Sequence, residues 1–268
     1  MQVNIAVAQC TVAQFDMEAN LSKAEHFIQQ AVQQKAHIIV FPEDFVTGPL
    51  NGNPAYVDGE SRYAHHFQRL AVQYAIDIVP GSIIEGAGGK LYNTAYYIDK
   101  EGTIRGRYRK VHLWHPERSY LTAGNEHPVF ETAYGKVGLI ICWDLMFPEV
   151  FRVMVRQGVQ LVICPSYWCL EDAGVGLLHD AQAEIKLVNA LCTARAFEHE
   201  LVLVYANAAA TDNVGNETLL GLSQITVPFK GALVALQHNR ESFFVQSVDM
   251  AILDDAERAY TIRKDLFE

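Results

Sequence analysis

The chain has 268 residues and a mass of 30.0 kDa, and half of its residues are apolar, which is enough to fill the interior of a folded protein of that size. Its 21 basic and 31 acidic side chains give a formal charge of −10 without a basic cluster, which argues against a nucleic-acid or anionic-membrane surface. No apolar run suits a signal peptide or a membrane span, and the five cysteines lack zinc-finger spacing, so we expect a reduced, cytoplasmic enzyme.

Short β-rich runs alternate with longer segments of helical period along the whole chain. Strands are predicted at residues 3–8, 37–41, 76–84, 92–98, 103–109, 137–141, 161–164, 201–206, 223–227, 232–236 and 243–248. Helices are predicted at residues 21–32, with Asn20 as the cap, at 61–74 and at 181–200. Residues 99–102 (DKEG) indicate one hairpin, and a second hairpin is predicted to turn at residues 135–136. No linker interrupts this pattern, so we predict one domain over residues 1–268 with a mixed α and β fold.

Three of the predicted strands run directly into a reactive side chain. HIIVF leads to Glu43, a strand ending in Tyr-Arg leads to Lys110, and VGLII leads to Cys142. Sheets present catalytic groups just past the ends of their strands. A thiolate that attacks a carbonyl, a carboxylate that takes its proton and a cation that stabilises the oxyanion are what nucleophilic acyl chemistry needs. Pro148 opens a helix soon after Cys142, so helix-terminal amides are expected to lower the pKa of the thiol.

Each of these residues also has a purely structural interpretation. A cysteine at a strand end is usually buried and inert. Glu43 and Asp44 fit an exposed helix start, and Lys110 continues a basic run that is typical of a solvated edge strand. Taken alone, the residues leave a cysteine hydrolase and a structural role both open.

The three segments, in this order and at these separations, resemble the carbon–nitrogen hydrolase (nitrilase) superfamily, whose members use a Glu-Lys-Cys triad. The resemblance covers nearly the whole chain and is carried by NIAVAQC, FPEDFVTG, YRKVHL, ICWDLMFPE, RAFEHELVLVYANAA, GLSQITVP and YTIRKDL. It implies a four-layer αββα sandwich in which Glu43, Lys110 and Cys142 meet at one end of two sheets. Glu43 would then be the general base, Lys110 the oxyanion-stabilising cation and Cys142 the nucleophile.

Further site residues follow from the same resemblance. Glu117 precedes an aromatic residue and a glycine, as a second family glutamate does, and it would orient Lys110 or place the hydrolytic water. The backbone N–H of Trp143 would help to hold the oxyanion. The segment PSYW follows a strand beside the nucleophile, so Tyr167 would line the substrate pocket, although Tyr167 and Trp168 fit core or lid aromatics equally well.

The resemblance also bears on cofactors and partners. It implies neither a metal nor an organic cofactor, and the histidines at 65, 66, 112 and 115 lack the acidic partner of a zincin-like site. It implies a homodimer or a higher homo-oligomer, with the helix after Cys142 at the contact. An apolar stripe on that helix gives this expectation modest support: Phe147, Val150, Phe151 and Met154.

Departures from the family pattern concern the substrate. Asp144 stands where true nitrilases usually have Glu, which is closer to amidases and carbamoyl hydrolases, and Met146 stands where omega-amidase-like members often have Arg. We therefore predict hydrolysis of a non-peptide C–N bond in a small amide or N-carbamoyl compound through a cysteine thioester, with nitriles less favoured. An acyltransferase that uses the same thioester and a non-catalytic binding homologue remain open as alternatives.

Overall fold

The computed structural model describes residues 1–210 and 218–267. The strands are β1 (Gln2–Gln9), β2 (Ile38–Val40), β3 (Asp77–Val79), β4 (Ser82–Ala87), β5 (Lys90–Ile98), β6 (Ile104–Arg109), β7 (Val129–Thr132), β8 (Gly135–Leu139), β9 (Leu161–Ser166), β10 (Val202–Asn207), β11 (Gln224–Val227), β12 (Gly231–Ala235) and β13 (Ser242–Asp249). The helices are α1 (Met17–Gln33), α2 (Arg62–Tyr74), α3 (Pro148–Arg156), α4 (Ala183–Glu198), α5 (Ala251–Tyr260) and α6 (Ile262–Asp265). Short 3₁₀ helices lie in several of the connections, and two of them carry site residues.

The strands form two sheets. The first has the order β13-β1-β2-β3-β5-β4, with β6 paired to β5, and the second has the order β12-β11-β10-β9-β8-β7. Strands β1, β2 and β3 run parallel at the centre of the first sheet, as β8, β9 and β10 do in the second. Helices α1 and α2 cover the first sheet and α3 and α4 the second, so the predicted αββα sandwich is confirmed.

The residue pattern of β1 shows how the layers are built. Successive side chains of a strand point to opposite faces of the sheet. Val3, Ile5 and Val7 belong to the core shared with the second sheet, whereas Ala6 and Ala8 pack with the buried residues of α1 and α2. Small alanines on the helix-facing side let α1 lie close to the sheet. Both faces of β1 are therefore buried, which explains its nearly continuous apolar sequence.

Three local predictions are wrong. The side chain of Asp16, and not of Asn20, caps α1, because buried Asn20 instead holds the preceding loop through the backbone of Ala13. The extended segment 76–84 is two strands, since Gly81 turns the chain between β3 and β4 with a φ of +82°. The second hairpin turns at residues 133–134, so residues 135–136 already lie in β8.

Most of the apolar stripe on α3 packs inside this chain. Val150, Phe151 and Met154 are each at most 1% exposed and belong to the core beneath the second sheet, so this part of the stripe faces the chain's own sheet, whereas Phe147 is partly exposed. The homodimer itself stays a prediction, as does the assignment of residues 1–268 to one domain. Among the helices of the described residues, none is both long and apolar enough to cross a bilayer.

Two close approaches fix the segment that follows β2. A Cβ atom on Gly81 would lie 1.8 Å from the carbonyl oxygen of Pro42, so only glycine allows the β3–β4 turn to pack there. The backbone N–H of Glu43 donates to the carbonyl of Ser166 at the end of β9, over 3.3 Å. This bond joins the carboxyl ends of parallel strands from the two sheets, where polar side chains can gather beside an apolar interior.

Candidate active site

An ammonium group lies between two carboxylates at this edge. The Nζ atom of Lys110 is 2.8 Å from Oε1 of Glu43 and 2.9 Å from Oε1 of Glu117. Lys110 and Glu43 are almost fully buried, and Glu117 is only slightly exposed. Of the two interpretations of Lys110, the solvated edge strand is therefore wrong, because the basic run enters the interior where β6 ends. The two carboxylates fix the position of the ammonium group.

Backbone and amide groups hold both carboxylates in place. Asn93 donates from Nδ2 to Glu43 Oε1 over 2.9 Å and to Glu117 Oε1 over 3.3 Å. The N–H of Tyr167 donates to Glu43 Oε2 over 2.9 Å, and the N–H of Trp114 donates to Glu117 Oε2 over 2.6 Å. Asn93 was not among the predicted site residues. The only indication in the sequence is an asparagine inside the otherwise strand-forming segment YNTAYYI.

Cys142 begins the 3₁₀ helix Cys142–Met146, with two residues between it and the end of β8 in the second sheet. Its φ is +46°, a left-handed conformation that is uncommon for a residue with a Cβ atom and that concentrates at functional sites. The side chain is 7% exposed and lines the same cleft as Glu43, whose charge acts on the thiol. Trp143 follows as the second residue of that helix, where an N–H group has no partner within the helix.

Burial and charge shift the pKa values of these groups. Burial raises the pKa of the Cys142 thiol well above its usual value, and the charge of Glu43 raises it further. Burial also raises the pKa of Glu43, although Lys110 opposes that shift. Burial alone would lower the pKa of Lys110, but Glu43 and Glu117 outweigh it, so the pKa rises and the ammonium stays charged. The expected lowering of the thiol pKa by a helix terminus is therefore wrong, because burial and the charge of Glu43 raise it instead.

Asp144 ties the lysine segment to the cysteine segment. It is fully buried, and its two oxygens accept from the Tyr108 hydroxyl over 2.8 Å, from the Ile141 N–H over 3.1 Å and from the His112 N–H over 2.8 Å. The Nδ1 atom of His112 lies a further 2.9 Å from Oδ1. Tyr108 and His112 flank Lys110, and Ile141 precedes Cys142, so one carboxylate sets the position of both segments.

The site opens into a cleft whose empty space, open solvent included, is about 660 Å³. Predicted residues Trp143 and Tyr167 line it together with Glu43, Lys110, Glu117 and Cys142. Trp168 also lines the cleft but is buried, with its indole N–H donating to Glu184 over 2.6 Å. The structure thus brings all the predicted site residues to one cavity.

Comparison with known proteins identifies the family. The carbon–nitrogen hydrolase family model matches residues 4–251. The chain belongs to this family. A Schizosaccharomyces pombe protein, named probable nitrilase C965.09, is similar to this hydrolase, with 32% identity over 264 residues that cover 96% of this chain and 91% of the yeast protein.

Two further relatives span almost the full length of this hydrolase. The 2-oxoglutaramate amidase of Bacillus subtilis is 29% identical over 275 residues and covers 100% of both chains. The crystal structure of a carbon–nitrogen hydrolase from Helicobacter pylori G27 matches with a TM-score of 0.89 and 22% identity, over 99% of this chain and 95% of the other. The structural match shows that the two proteins share a fold, and the family resemblance seen in the sequence is confirmed.

We expect Asp144→Asn to destabilise this hydrolase. An asparagine keeps the shape of the side chain but replaces one accepting oxygen by an NH₂ group. The two buried groups that bond to that oxygen would then face another hydrogen-bond donor. Unsatisfied buried donors of this kind cost about 2–4 kcal/mol in the free energy of unfolding. Urea denaturation followed by fluorescence measures the change. Asp180→Asn is the control, because Asp180 lies at the surface beside Lys186 and should change stability by about 0.5 kcal/mol or less. Equal stability of the two variants would contradict this account of Asp144.

Proposed function

We propose that this carbon–nitrogen hydrolase cleaves a non-peptide C–N bond in a small amide or N-carbamoyl compound, through a thioester on Cys142. The observation that carries the proposal is the placement of one carboxylate, that of Glu43, in contact with the Lys110 ammonium and in the same cleft lining as the Cys142 thiol. A carboxylate in this position can take a proton from the thiol and return it to a leaving nitrogen.

Acylation begins with transfer of the thiol proton to Glu43 as the sulfur attacks the carbonyl carbon. Because burial raises the pKa of the Cys142 thiol well above its usual value, the resting thiol is neutral, and its proton passes to Glu43 as the sulfur attacks. Lys110 and the N–H of Trp143 stabilise the oxyanion. Glu43 then protonates the nitrogen, the C–N bond breaks, and ammonia or an amine leaves a thioester on the sulfur.

Deacylation returns the enzyme to its starting state. Glu43 takes a proton from a water molecule, whose oxygen attacks the thioester carbonyl. The C–S bond breaks, the acid leaves and the proton passes to the sulfur. Glu117 is a second carboxylate in contact with the Lys110 ammonium, so we assign it the placement of that group and of the water. Trp143 and Tyr167 contact the substrate in this proposal, because both line the cleft beside the sulfur.

Two observations support amides over nitriles. Asp144 occupies the position where true nitrilases usually have Glu, and the Bacillus subtilis relative that matches over its full length is named as an amidase. The yeast relative is named as a nitrilase, so the nitrile reaction belongs in any substrate test. All five cysteines are free thiols, which supports a cytoplasmic location, where thiols stay reduced.

Intact-mass measurement of protein incubated with amides, ureas and nitriles tests the proposal. We expect an adduct on Cys142 whose mass equals an amide substrate less ammonia, because the thioester keeps only the acyl group. A nitrile that reacts would first add its whole mass as a thioimidate. The other four cysteines are buried and serve as internal controls after peptide mapping. No adduct and no turnover with any compound, from a folded protein, would contradict the proposal.

The same experiment separates the two remaining alternatives. An acyltransferase forms the same thioester but passes the acyl group to an added amine, so its product in the presence of that amine is a new amide and not an acid. A binding homologue takes up a ligand without forming an adduct. We expect release of the free acid with and without the amine.

A further inference from the structure

The charges that line the cleft are predominantly negative. Four carboxyl groups line it, those of Glu43, Asp44, Glu117 and Asp172, of which Asp44 adds little negative charge because burial raises its pKa well above the usual value. Within the described part of the chain, Lys110 is the one basic residue of the lining, and its ammonium already contacts two of these carboxylates. A substrate that carries a carboxylate of its own would find no free cation in this lining and would approach acidic groups instead.

Basic side chains close to the site in sequence are engaged elsewhere. Arg118 follows Glu117 but donates from Nε to the carbonyl of Leu113 over 3.1 Å. Arg195 donates to the carbonyl of Met146 over 2.9 Å, beneath the 3₁₀ helix that starts at the nucleophile. Residues 211–217, outside the described part of the chain, contain neither Lys nor Arg. Neither arginine therefore replaces the carboxylate-binding cation that the lining lacks.

Aromatic rings form the other wall of the cleft. All three tryptophans of the chain line it, with the Trp114 and Trp143 ring centroids 4.5 Å apart and those of Trp143 and Trp168 5.6 Å apart. Trp114 and Trp143 are partly exposed, so their surfaces are open to a bound molecule. Tryptophan is the side chain that attracts ammonium groups best through its ring face.

We infer that the preferred substrates are small amides or N-carbamoyl compounds that carry an ammonium group at the end away from the scissile bond. This inference rests on the proposed function. The ammonium group would lie against the indole rings of Trp114 and Trp143 and near Asp172, which is partly exposed in the lining. 2-Oxoglutaramate, after which the Bacillus subtilis relative is named, carries a carboxylate and should be a poor substrate here.

Three four-carbon amides that differ in charge test the inference: 4-aminobutanamide, butanamide and succinamate. Ammonia release gives kcat/KM for each at low ionic strength. Each unit of charge a few ångströms from a fixed charge in water changes binding by about fivefold, so we expect kcat/KM to fall in the order cationic, neutral, anionic. Salt screens such interactions, so the spread should narrow at high ionic strength. Succinamate hydrolysed as well as 4-aminobutanamide would overturn the inference while leaving the proposed reaction intact.

A matched pair of variants tests whether the charge of Asp172 selects cationic substrates. Asp172→Asn preserves an oxygen that can accept from the Cys169 N–H, as Oδ2 does over 2.9 Å, but removes the negative charge. We expect the ratio of kcat/KM for 4-aminobutanamide to that for butanamide to fall by about fivefold. Asp180→Asn removes one charge outside the cleft lining and should leave that ratio unchanged. The same ratio in both variants and in the unaltered enzyme would assign no role to Asp172 and would overturn the inference.

Labelling of the thiol gives a readout that does not require turnover. Methanethiosulfonate reagents modify cysteine thiols, and the reagent is a cation when it carries an aminoethyl group and an anion when it carries a sulfonatoethyl group. Peptide mapping, with Cys142→Ala as the blank, identifies the modification at Cys142. We expect the ratio of the Cys142 reaction rate with the cationic reagent to that with the anionic reagent to exceed the same ratio for a free small thiol. Asp172→Asn should lower this ratio for Cys142. An equal or reversed preference would overturn the inference. If no amide is hydrolysed but the cationic preference is found, the hydrolase proposal fails and the charge selectivity of the cleft stands.

Discussion

Cys142→Ala is expected to fold normally and to lose turnover by a factor on the order of 10⁴–10⁶, because it removes the proposed nucleophile, which lines the cleft with Glu43 and Lys110. Alanine at this position keeps the same left-handed backbone, so the 3₁₀ helix that begins here should persist. The variant should also form no covalent adduct. Steady-state rates on protein whose folding has been checked by circular dichroism and thermal denaturation measure the effect.

Cys192→Ala is the matched control for this result. Cys192 is also fully buried, but it lies on α4 in the core and does not line the cleft. The two variants should lose comparable amounts of stability, of about 1 kcal/mol, while only the Cys142 variant loses turnover. Substantial activity in well-folded Cys142→Ala would refute the thioester mechanism and return Cys142 to the role of a packed core residue.

Glu117→Gln is expected to slow turnover by about 10²–10⁴-fold, the usual cost of losing a positioned catalytic group. The glutamine keeps the shape of the side chain but has one accepting oxygen and no charge, whereas Glu117 places both oxygens within 2.9 Å of Lys110 Nζ and also accepts from the Trp114 N–H. Because Glu43 and Cys142 are unchanged, acylation should survive better than hydrolysis of the thioester. We therefore expect the acyl-enzyme to accumulate and to be visible by intact mass.

A surface glutamate provides the comparison for Glu117. Glu131 is strongly exposed and pairs only loosely with Lys136, at 3.7 Å, so Glu131→Gln should change stability by about 0.5 kcal/mol or less and leave turnover intact. Near-normal turnover of Glu117→Gln without an adduct would remove Glu117 from the catalytic groups. That outcome would leave the roles proposed for Glu43, Lys110 and Cys142 unchanged.

The features that depend on residues close together in the chain were predicted well from the sequence. The alternation of side chains predicted most strands to within a few residues, and strand-end positions singled out Glu43, Lys110 and Cys142. The sequence was much less informative about which side chains hold these three residues in place. The role of Asn93 depends on β5 lying beside β6, and that of Asp144 depends on contacts with a segment more than thirty positions earlier in the chain.

The differences between prediction and structure have the same origin. Asn20 has the sequence features of a helix cap, but tertiary contacts direct its amide to the loop before the helix. Most of the stripe on α3 is apolar because the second sheet covers it, and a sequence does not distinguish a face covered by its own chain from one covered by a partner. The thiol pKa was misjudged because burial, which depends on the whole fold, outweighs a nearby helix terminus.

The bond between the Glu43 N–H and the Ser166 carbonyl joins strand ends that are far apart in the chain. The acid, the cation and the thiol therefore come from segments that are brought together only when both sheets have formed and have packed on each other. Long-range contacts of this kind form late in folding, because each must first overcome the entropy of closing a long loop. A nascent or partly folded chain therefore lacks the assembled acid, cation and thiol, so acyl chemistry at Cys142 requires the complete fold.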